Sequence, residues 1–290
     1  MICKACPRNC NVDRSKNKGI CSVPEKFVLA RAAKHFWEEP CISGSEGSGT
    51  VFFSGCNLKC VYCQNFEISH GAFGKEISDK RLMEIFDTLI ESGVHNINLV
   101  NPTHYAKRLS SVLSEYKSTV PVIYNSSGYE SVETLKALEG LVDVYLPDFK
   151  YISEERSRKY SKAEDYPSVA EKAIAEMKRQ QKKDVFDEKG LIEKGVIIRH
   201  LVLPKNTNQS IKIFSRIKEL FSEDTYISVM SQYTPCGDIS LFPELQRKIT
   251  EREYEKVLSF IRDEGFKNVY IQEMKSASED FIPPFNLEGV

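Results

Sequence analysis

Excess charge of either sign is missing from this 290-residue chain: 40 Lys and Arg face 41 Asp and Glu, a formal charge of −1. That balance leaves no broad basic footprint for nucleic acid or an anionic membrane surface. Long apolar runs are missing too. None is long enough to span a bilayer, and the opening Met1-Ile2-Cys3-Lys4-Ala5-Cys6-Pro7-Arg8 lacks the apolar stretch of a secretory signal. The expectation is a soluble cytoplasmic protein with no nucleic-acid or membrane partner. In that reducing compartment disulfides are rare, so the nine cysteines read as ligands or buried thiols. Eight of them precede Asp79 and only Cys236 follows it. Cysteines recruited for core packing would not crowd in this way.

After residue 50 short β-rich runs alternate with amphipathic stretches. The runs are Thr50–Ser54, Ile97–Val100, Val122–Tyr124, Val142–Leu146, Val196–Val202, Ile227–Met230 and Val269–Gln272. Helices are expected over Lys80–Glu91, Ala106–Tyr116, Val132–Leu138, Val169–Gln180, Ile211–Phe221 and Glu251–Asp263. Leu82, Ile85, Phe86 and Leu89 share one face of the first, with Ser78 placed to cap it and Gly93 to stop it. Such alternation predicts a parallel sheet with right-handed crossovers. Six units and a last strand fall short of an eight-fold barrel, so the expected fold is α/β, an open partial (β/α)6 barrel over 50–290; a doubly wound sheet is the competing architecture. Residues 1–49 do not fit the alternation and are expected to form a cysteine-rich, metal-binding extension. The charged stretch Lys178–Lys194 reads as a solvated loop or frayed helix end.

Gly55-Cys56-Asn57-Leu58-Lys59-Cys60-Val61-Tyr62-Cys63-Gln64-Asn65 follows directly on Val51-Phe52-Phe53. It would leave the C-terminal end of the first strand, the end that carries chemistry in parallel barrels. Its spacing is C-x3-C-x2-C. Three thiolates can hold three irons of a four-iron cube and leave the fourth open. A structural zinc wants four protein ligands, and the ferredoxin pattern keeps a fourth cysteine close by. Buried thiols suit the segment poorly, because Asn57, Lys59 and Gln64 are polar. A zinc site borrowing a distant ligand is the alternative.

The motif, with Tyr62 ahead of the third cysteine, resembles the signature of the radical S-adenosylmethionine (SAM) superfamily. Glu38-Glu39-Pro40-Cys41-Ile42-Ser43-Gly44, Gly47-Ser48-Gly49-Thr50, Cys63-Gln64-Asn65 and Arg199-His200-Leu201-Val202-Leu203-Pro204 extend the likeness to the pyruvate formate-lyase activating enzyme-like proteins. The resemblance implies a partial β/α barrel and a 4Fe–4S cluster on Cys56, Cys60 and Cys63. It also implies SAM bound at the open iron and split to a 5′-deoxyadenosyl radical. Its partners would be a glycyl radical enzyme or a small-molecule or peptide substrate, with a low-potential donor such as flavodoxin or ferredoxin.

By the same resemblance, Tyr62 and the strand ends should bind SAM. Activases carry Gly-Gly-Glu after the second strand; here Asn101-Pro102-Thr103-His104 stands instead, so Asn101 and Thr103 fall there by position, and His104 reads more simply as a cap. Asn125 and Ser126 match a segment near the methionine part of SAM, although a polar turn gives the same pattern. Asp148-Phe149-Lys150 resembles the activases' Asp-x-Lys, and alternation along a strand points both charges one way. Surface strand-end charges are the alternative. Arg199 sits within apolar neighbours and needs an anionic partner, a SAM or substrate carboxylate or a structural ion pair. Gln232-Tyr233-Thr234 replaces the activases' histidine.

Cys3, Cys6, Cys10 and Cys21 read C-x2-C-x3-C-x10-C, a full ligand set for one closed site. Zinc and a second iron–sulfur cluster fit this spacing equally, and Arg8, Arg14, Lys16 and Lys18 are placed to offset its charge. Cys41 and Cys236 read as inert buried thiols. Two function classes follow: a radical SAM oxidoreductase, or a non-catalytic zinc- or metal-binding interaction protein.

Overall fold

Strands covered on both faces carry unbroken apolar runs, and Val51-Phe52-Phe53, Ile97, Leu99 and Val144-Tyr145-Leu146 are all buried. The computed structural model describes residues 2–276 and 283–290. Its strands are β1 (Phe27–His35), β2 (Ser48–Phe53), β3 (Lys75–Ile77), β4 (Ile97–Val100), β5 (Val122–Ser126), β6 (Val144–Pro147), β7 (Val185–Phe186), β8 (Ile192–Leu201), β9 (Tyr226–Met230) and β10 (Val269–Ile271). Its helices are α1 (Pro40–Ser43), α2 (Phe66–Ser69), α3 (Asp79–Glu91), α4 (Ala106–Glu115), α5 (Val132–Lys136), α6 (Glu154–Ser161), α7 (Tyr166–Gln180), α8 (Thr207–Phe221) and α9 (Glu251–Asp263). Among the described residues no helix is long and apolar enough to cross a membrane.

The fold is mixed α/β with a largely parallel sheet, as the alternation predicts. Strands β2, β4, β5, β6, β8, β9 and β10 lie side by side in that order, all parallel. Helices on the crossovers press apolar stripes onto it; Leu82, Ile85, Phe86 and Leu89 of α3 are all buried. The Ser78 hydroxyl accepts from the Arg81 N–H at 3.1 Å and starts that helix. One cavity is lined both by Phe52 of β2 and by Tyr270 of β10, strands at opposite ends of the parallel run, so the sheet curls around it. Among the described residues the path ends at β3 and β10 without pairing them, which leaves one flank open.

Two stretches fold differently from the sequence reading. Residues 1–49 do not stand apart: β1 pairs antiparallel with β2 across the expected boundary, Ala32 opposite Val51 and His35 opposite Ser48. The apolar start of β1 supplies the reason, since Phe27, Val28, Leu29 and Ala30 are buried. Beyond β3, the edge of β1 is covered by the chain end, where Ala32 N–H donates to the Glu288 carbonyl at 2.8 Å. The charged Lys178–Lys194 stretch is no solvated loop either. It contains the end of α7 and a hairpin in which Val185 pairs with Lys194 and Phe186 with Ile192. Phe186 packs on Tyr226 at 5.0 Å between ring centres, and the Asp187 carboxylate accepts from the Lys189 and Leu191 N–H groups at 2.8 Å. One anchored ring and one turn-forming aspartate are enough to order charged neighbours.

Candidate functional site

The cysteine loop leaves the C-terminal end of β2 through Gly55. Its φ of +81° and a carbonyl of Cys21 only 2.4 Å from where a Cβ would stand allow no side chain. Asn57 then turns inward and donates to the Tyr129 carbonyl at 2.9 Å. Arg8 fastens the loop from outside, donating to the carbonyls of Asn57 at 2.8 Å and Ser161 at 2.8 Å while its guanidinium lies 5.3 Å from the Tyr129 ring centre. Thus held, Cys56, Cys60 and Cys63 all line one cavity of about 460 Å³. Cys56 Sγ accepts from the N–H groups of Leu58 at 3.3 Å and Lys59 at 3.5 Å, and the Ser161 hydroxyl donates to Cys60 Sγ at 3.1 Å. Burial and the neighbouring thiols push Cys63 up to about 12 and Cys56 above the usual thiol range.

Most of the other expected residues line the same cavity: Tyr62, Asn101, Asn125, Ser126, Asp148, Lys150 and Arg199. They form a charge network. Arg199 meets Asp148 at 3.1 Å, Glu38 at 3.1 Å and the Asn125 side-chain Oδ1 at 2.6 Å, and Lys150 meets Asp148 at 2.5 Å. Burial alone would raise the Asp148 carboxyl, but Lys150 and Arg199 hold it below its ordinary range. Burial likewise works against the Lys150 ammonium and the Arg199 guanidinium, and Asp148 keeps both charged. Arg199 therefore has the structural ion pairs that its burial demands. Tyr62 packs edge-on against Tyr160 and Tyr233, with ring centres 6.0 and 6.1 Å away, and closes the wall behind Cys60.

Thr103 is turned away from the cavity. It is fully buried and donates to Glu130, which also accepts from Tyr124 at 3.2 Å. A hydroxyl on a short 3-10 turn just past β4 reaches the neighbouring strand end rather than the cavity, and burial pushes Glu130 up to about 7. His104 is buried against the Ser54 carbonyl at 2.8 Å and serves as a structural tie. Gln232, in place of the activases' histidine, lines the cavity and accepts from Gln64 through its carbonyl at 2.9 Å.

The four N-terminal cysteines are not drawn to one point. Cys6 is buried and pushed up to about 12 chiefly by that burial, with Cys10 near enough to raise it further. The Cys21 thiol is buried and faces the Val23 carbonyl at 4.0 Å, and Cys3 is half-buried. Among the described residues no three or more His, Cys, Asp or Glu side chains converge as they must on a single metal ion. A four-iron cube is different, because each thiolate takes its own iron and the sulfurs need not converge. Nor do the arginines surround these thiols: Arg14 donates to the carbonyls of His104 and Pro24. Cys41 is buried as expected, whereas Cys236 is half-buried, its thiol 3.4 Å from the Tyr62 carbonyl.

Sequence reasoning gave no role to Glu38, Glu39, Ser127 or Trp37, all of which line the cavity. The signal for the acids was present as two adjacent glutamates ahead of a proline, but only the fold turns them inward. Ser127 Oγ is buried without a hydrogen-bond partner beside Ser126 and Asn125. Three thiols, an orphaned hydroxyl just past the C-terminal end of β5, and a volume in the range of small-molecule sites fit an open-sided cluster with a bound nucleoside cofactor.

The family described as "4Fe-4S single cluster domain" matches residues 42–164, which contain the three-cysteine loop. The uncharacterized protein MJ0674 of Methanocaldococcus jannaschii is 31% identical over 278 residues, 92% of this chain and 76% of that protein. Among solved structures, the FeFe-hydrogenase maturase HydG from Carboxydothermus hydrogenoformans superposes with a TM-score of 0.53 at 15% identity, over 80% of this chain and 56% of that one. Streptococcus suis SuiB bound to S-adenosylmethionine gives 0.50 at 15% identity, over 78% and 52%. These two likenesses concern the fold alone, and the chain spans about half the length of each. With the fold and the relative in agreement, the chain belongs to one family with the Methanocaldococcus protein, and its residues 42–164, which carry the three-cysteine loop, match the family of 4Fe-4S single cluster domains.

Proposed function

We propose that this chain is a radical SAM oxidoreductase that removes a hydrogen atom from a substrate held in the cavity, with Cys56, Cys60 and Cys63 as the cluster ligands. The observation that supports it most is that the three thiols open onto the same cavity as the Asp148–Lys150–Arg199 network. Held by these cysteines with one iron open, a 4Fe–4S cluster would supply the one-electron reduction by which SAM is cleaved. The protein supplies placement. Lys150, whose charge acts on Cys56 and Cys60, offsets the thiolates. Asn125, Ser126 and the unpartnered Ser127 hydroxyl take the polar groups of SAM, and Arg199 holds Asn125 and Asp148 in place for that contact. Tyr62, Tyr160 and Tyr233 keep water from the back of the cysteine loop.

The open flank of the barrel admits the hydrogen donor: a small molecule, a peptide or a segment of a glycyl radical enzyme. A flavodoxin or ferredoxin is the fitting electron source for a cluster whose third cysteine, Cys63, is half-buried. Anaerobically reconstituted and reduced protein should convert SAM to 5′-deoxyadenosine, read by chromatography. Absence of that product with every low-potential reductant would contradict the assignment.

A further inference from the structure

We propose that Glu39 reads the substrate, and that it does so by taking a cationic nitrogen, an ammonium group, in the half of the cavity opposite the cysteines. This rests on the radical SAM reading above and adds a substrate class to it.

The placement follows from strand register. His35 pairs with Ser48, the first residue of β2, so the chain beyond His35 turns at the N-terminal end of the parallel strands. The cysteine loop leaves the other end. Glu38 and Glu39 therefore enter the cavity from the side opposite the thiols. Glu38 accepts from the side-chain amides of Asn98 in β4 at 3.1 Å and Asn125 in β5 at 3.2 Å. A nucleoside cofactor seated at the cysteines would have this acid pair on its far side, where a hydrogen donor belongs.

Charge decides what that side accepts. The interior lining holds the carboxylates of Glu38, Glu39 and Asp148 against the cations of Lys150 and Arg199. Asp148 takes contacts from both cations, and Glu38 takes the remaining arm of the guanidinium. Glu39 has no such partner. It is 8% exposed and its Oε2 is enclosed with no hydrogen bond, with Arg199 and Ser228 near enough only to act on its charge. An enclosed acceptor without a donor is a standing cost that a ligand can remove. Burial pushes the Glu39 carboxyl above its ordinary range against the pull of Arg199, so the ligand that satisfies it best is a donor whose positive charge holds it ionised, and the surplus of acids around it favours the same choice. The way in suits such a group. Phe36 and Trp37, 48% and 58% exposed, stand on one lip of the opening, and Ile271, 50% exposed, stands on the other. An indole face attracts a passing cation, and the apolar lips accept the carbon chain that carries it.

The test titrates n-butylamine, butyramide and butyrate into the reconstituted, SAM-loaded protein. Binding is read by calorimetry and by the fluorescence of Trp37, the single tryptophan of the chain. The amine should bind at least about tenfold more tightly than the amide, a difference of about 1.4 kcal/mol, and butyrate should bind worst. Glu39→Gln should bring the amine to the level of the amide and leave SAM affinity within about threefold. Equal binding of amine and amide by the wild type overturns the proposal without reference to any variant. So does an amine affinity that Glu39→Gln leaves unchanged, or a Glu39→Gln protein that loses SAM and amine together, which would move Glu39 to the SAM site. Failure of the wild type to make 5′-deoxyadenosine would instead strike the enzyme reading, a result separate from the amine titration.

Discussion

Alanine at Cys56, Cys60 or Cys63 is expected to strip the loop of its iron and sulfide, and to lower 5′-deoxyadenosine formation by more than about 100-fold, beyond the 10–100-fold typical of outer-shell residues. The reason is geometric. In the proposed cluster each thiolate would hold its own iron, so a missing thiol leaves a second iron without a protein ligand. Cys236, a thiol outside the trio, faces the Tyr62 carbonyl at 3.4 Å. Cys41→Ala is the control. Its thiol is buried among Ile42 and Ile123, away from the cavity lining, and its loss should leave the iron content intact. Iron and sulfide analysis of the four variants reads the outcome. Full iron retention in any of the three loop variants would mean that the cluster, if present, is held elsewhere.

The second large effect concerns stability. Arg199→Met removes a guanidinium that contacts Glu38, Asp148 and Asn125 within 3.1 Å. Asp148 would then keep only Lys150 and Glu38 would have no cation in contact, and breaking a buried pair in this way costs about 3–5 kcal/mol. Against a total stability of about 5–15 kcal/mol, that is a large fraction. Arg199→Lys should recover little of it, because one ammonium cannot span three acceptors arranged for a planar fork. Adding Glu38→Gln to Arg199→Met should recover part, since it removes one of the stranded charges. Urea midpoints of the three variants check this. A wild-type midpoint for Arg199→Met would show that the network carries no stability.

Much of this architecture was legible because parallel strands buried on both faces have no polar face to confuse the reading. Ile97–Val100 coincides with β4, and Glu251–Asp263 with α9. What failed was composition used as a guide. Phe27–His35 lies among cysteines and Val185–Phe186 among lysines, yet each has an apolar side to bury. Within the site, strand-end position was enough to bring Asn125, Asp148, Lys150 and Arg199 to one cavity. It was not enough for Thr103, where a single turn of 3-10 helix rotates the hydroxyl to Glu130. The Glu38–Glu39 pair was visible as residues but not as a site, because its approach from the opposite end of the strands depends on the antiparallel β1. Spacing counted the N-terminal cysteines correctly and could not say that Cys21 packs on its own side, in the core with Val23 and Phe27.

Electron–nuclear double resonance on the reduced protein, loaded with SAM carrying 17O in its carboxylate and 15N in its amino group, tests the central claim most directly. If the trio of cysteines leaves one iron to the cofactor, both labels should couple to the cluster spin, and both couplings should vanish in Cys60→Ala. A fully formed cluster that feels neither label would mean that all four irons are already taken by the protein.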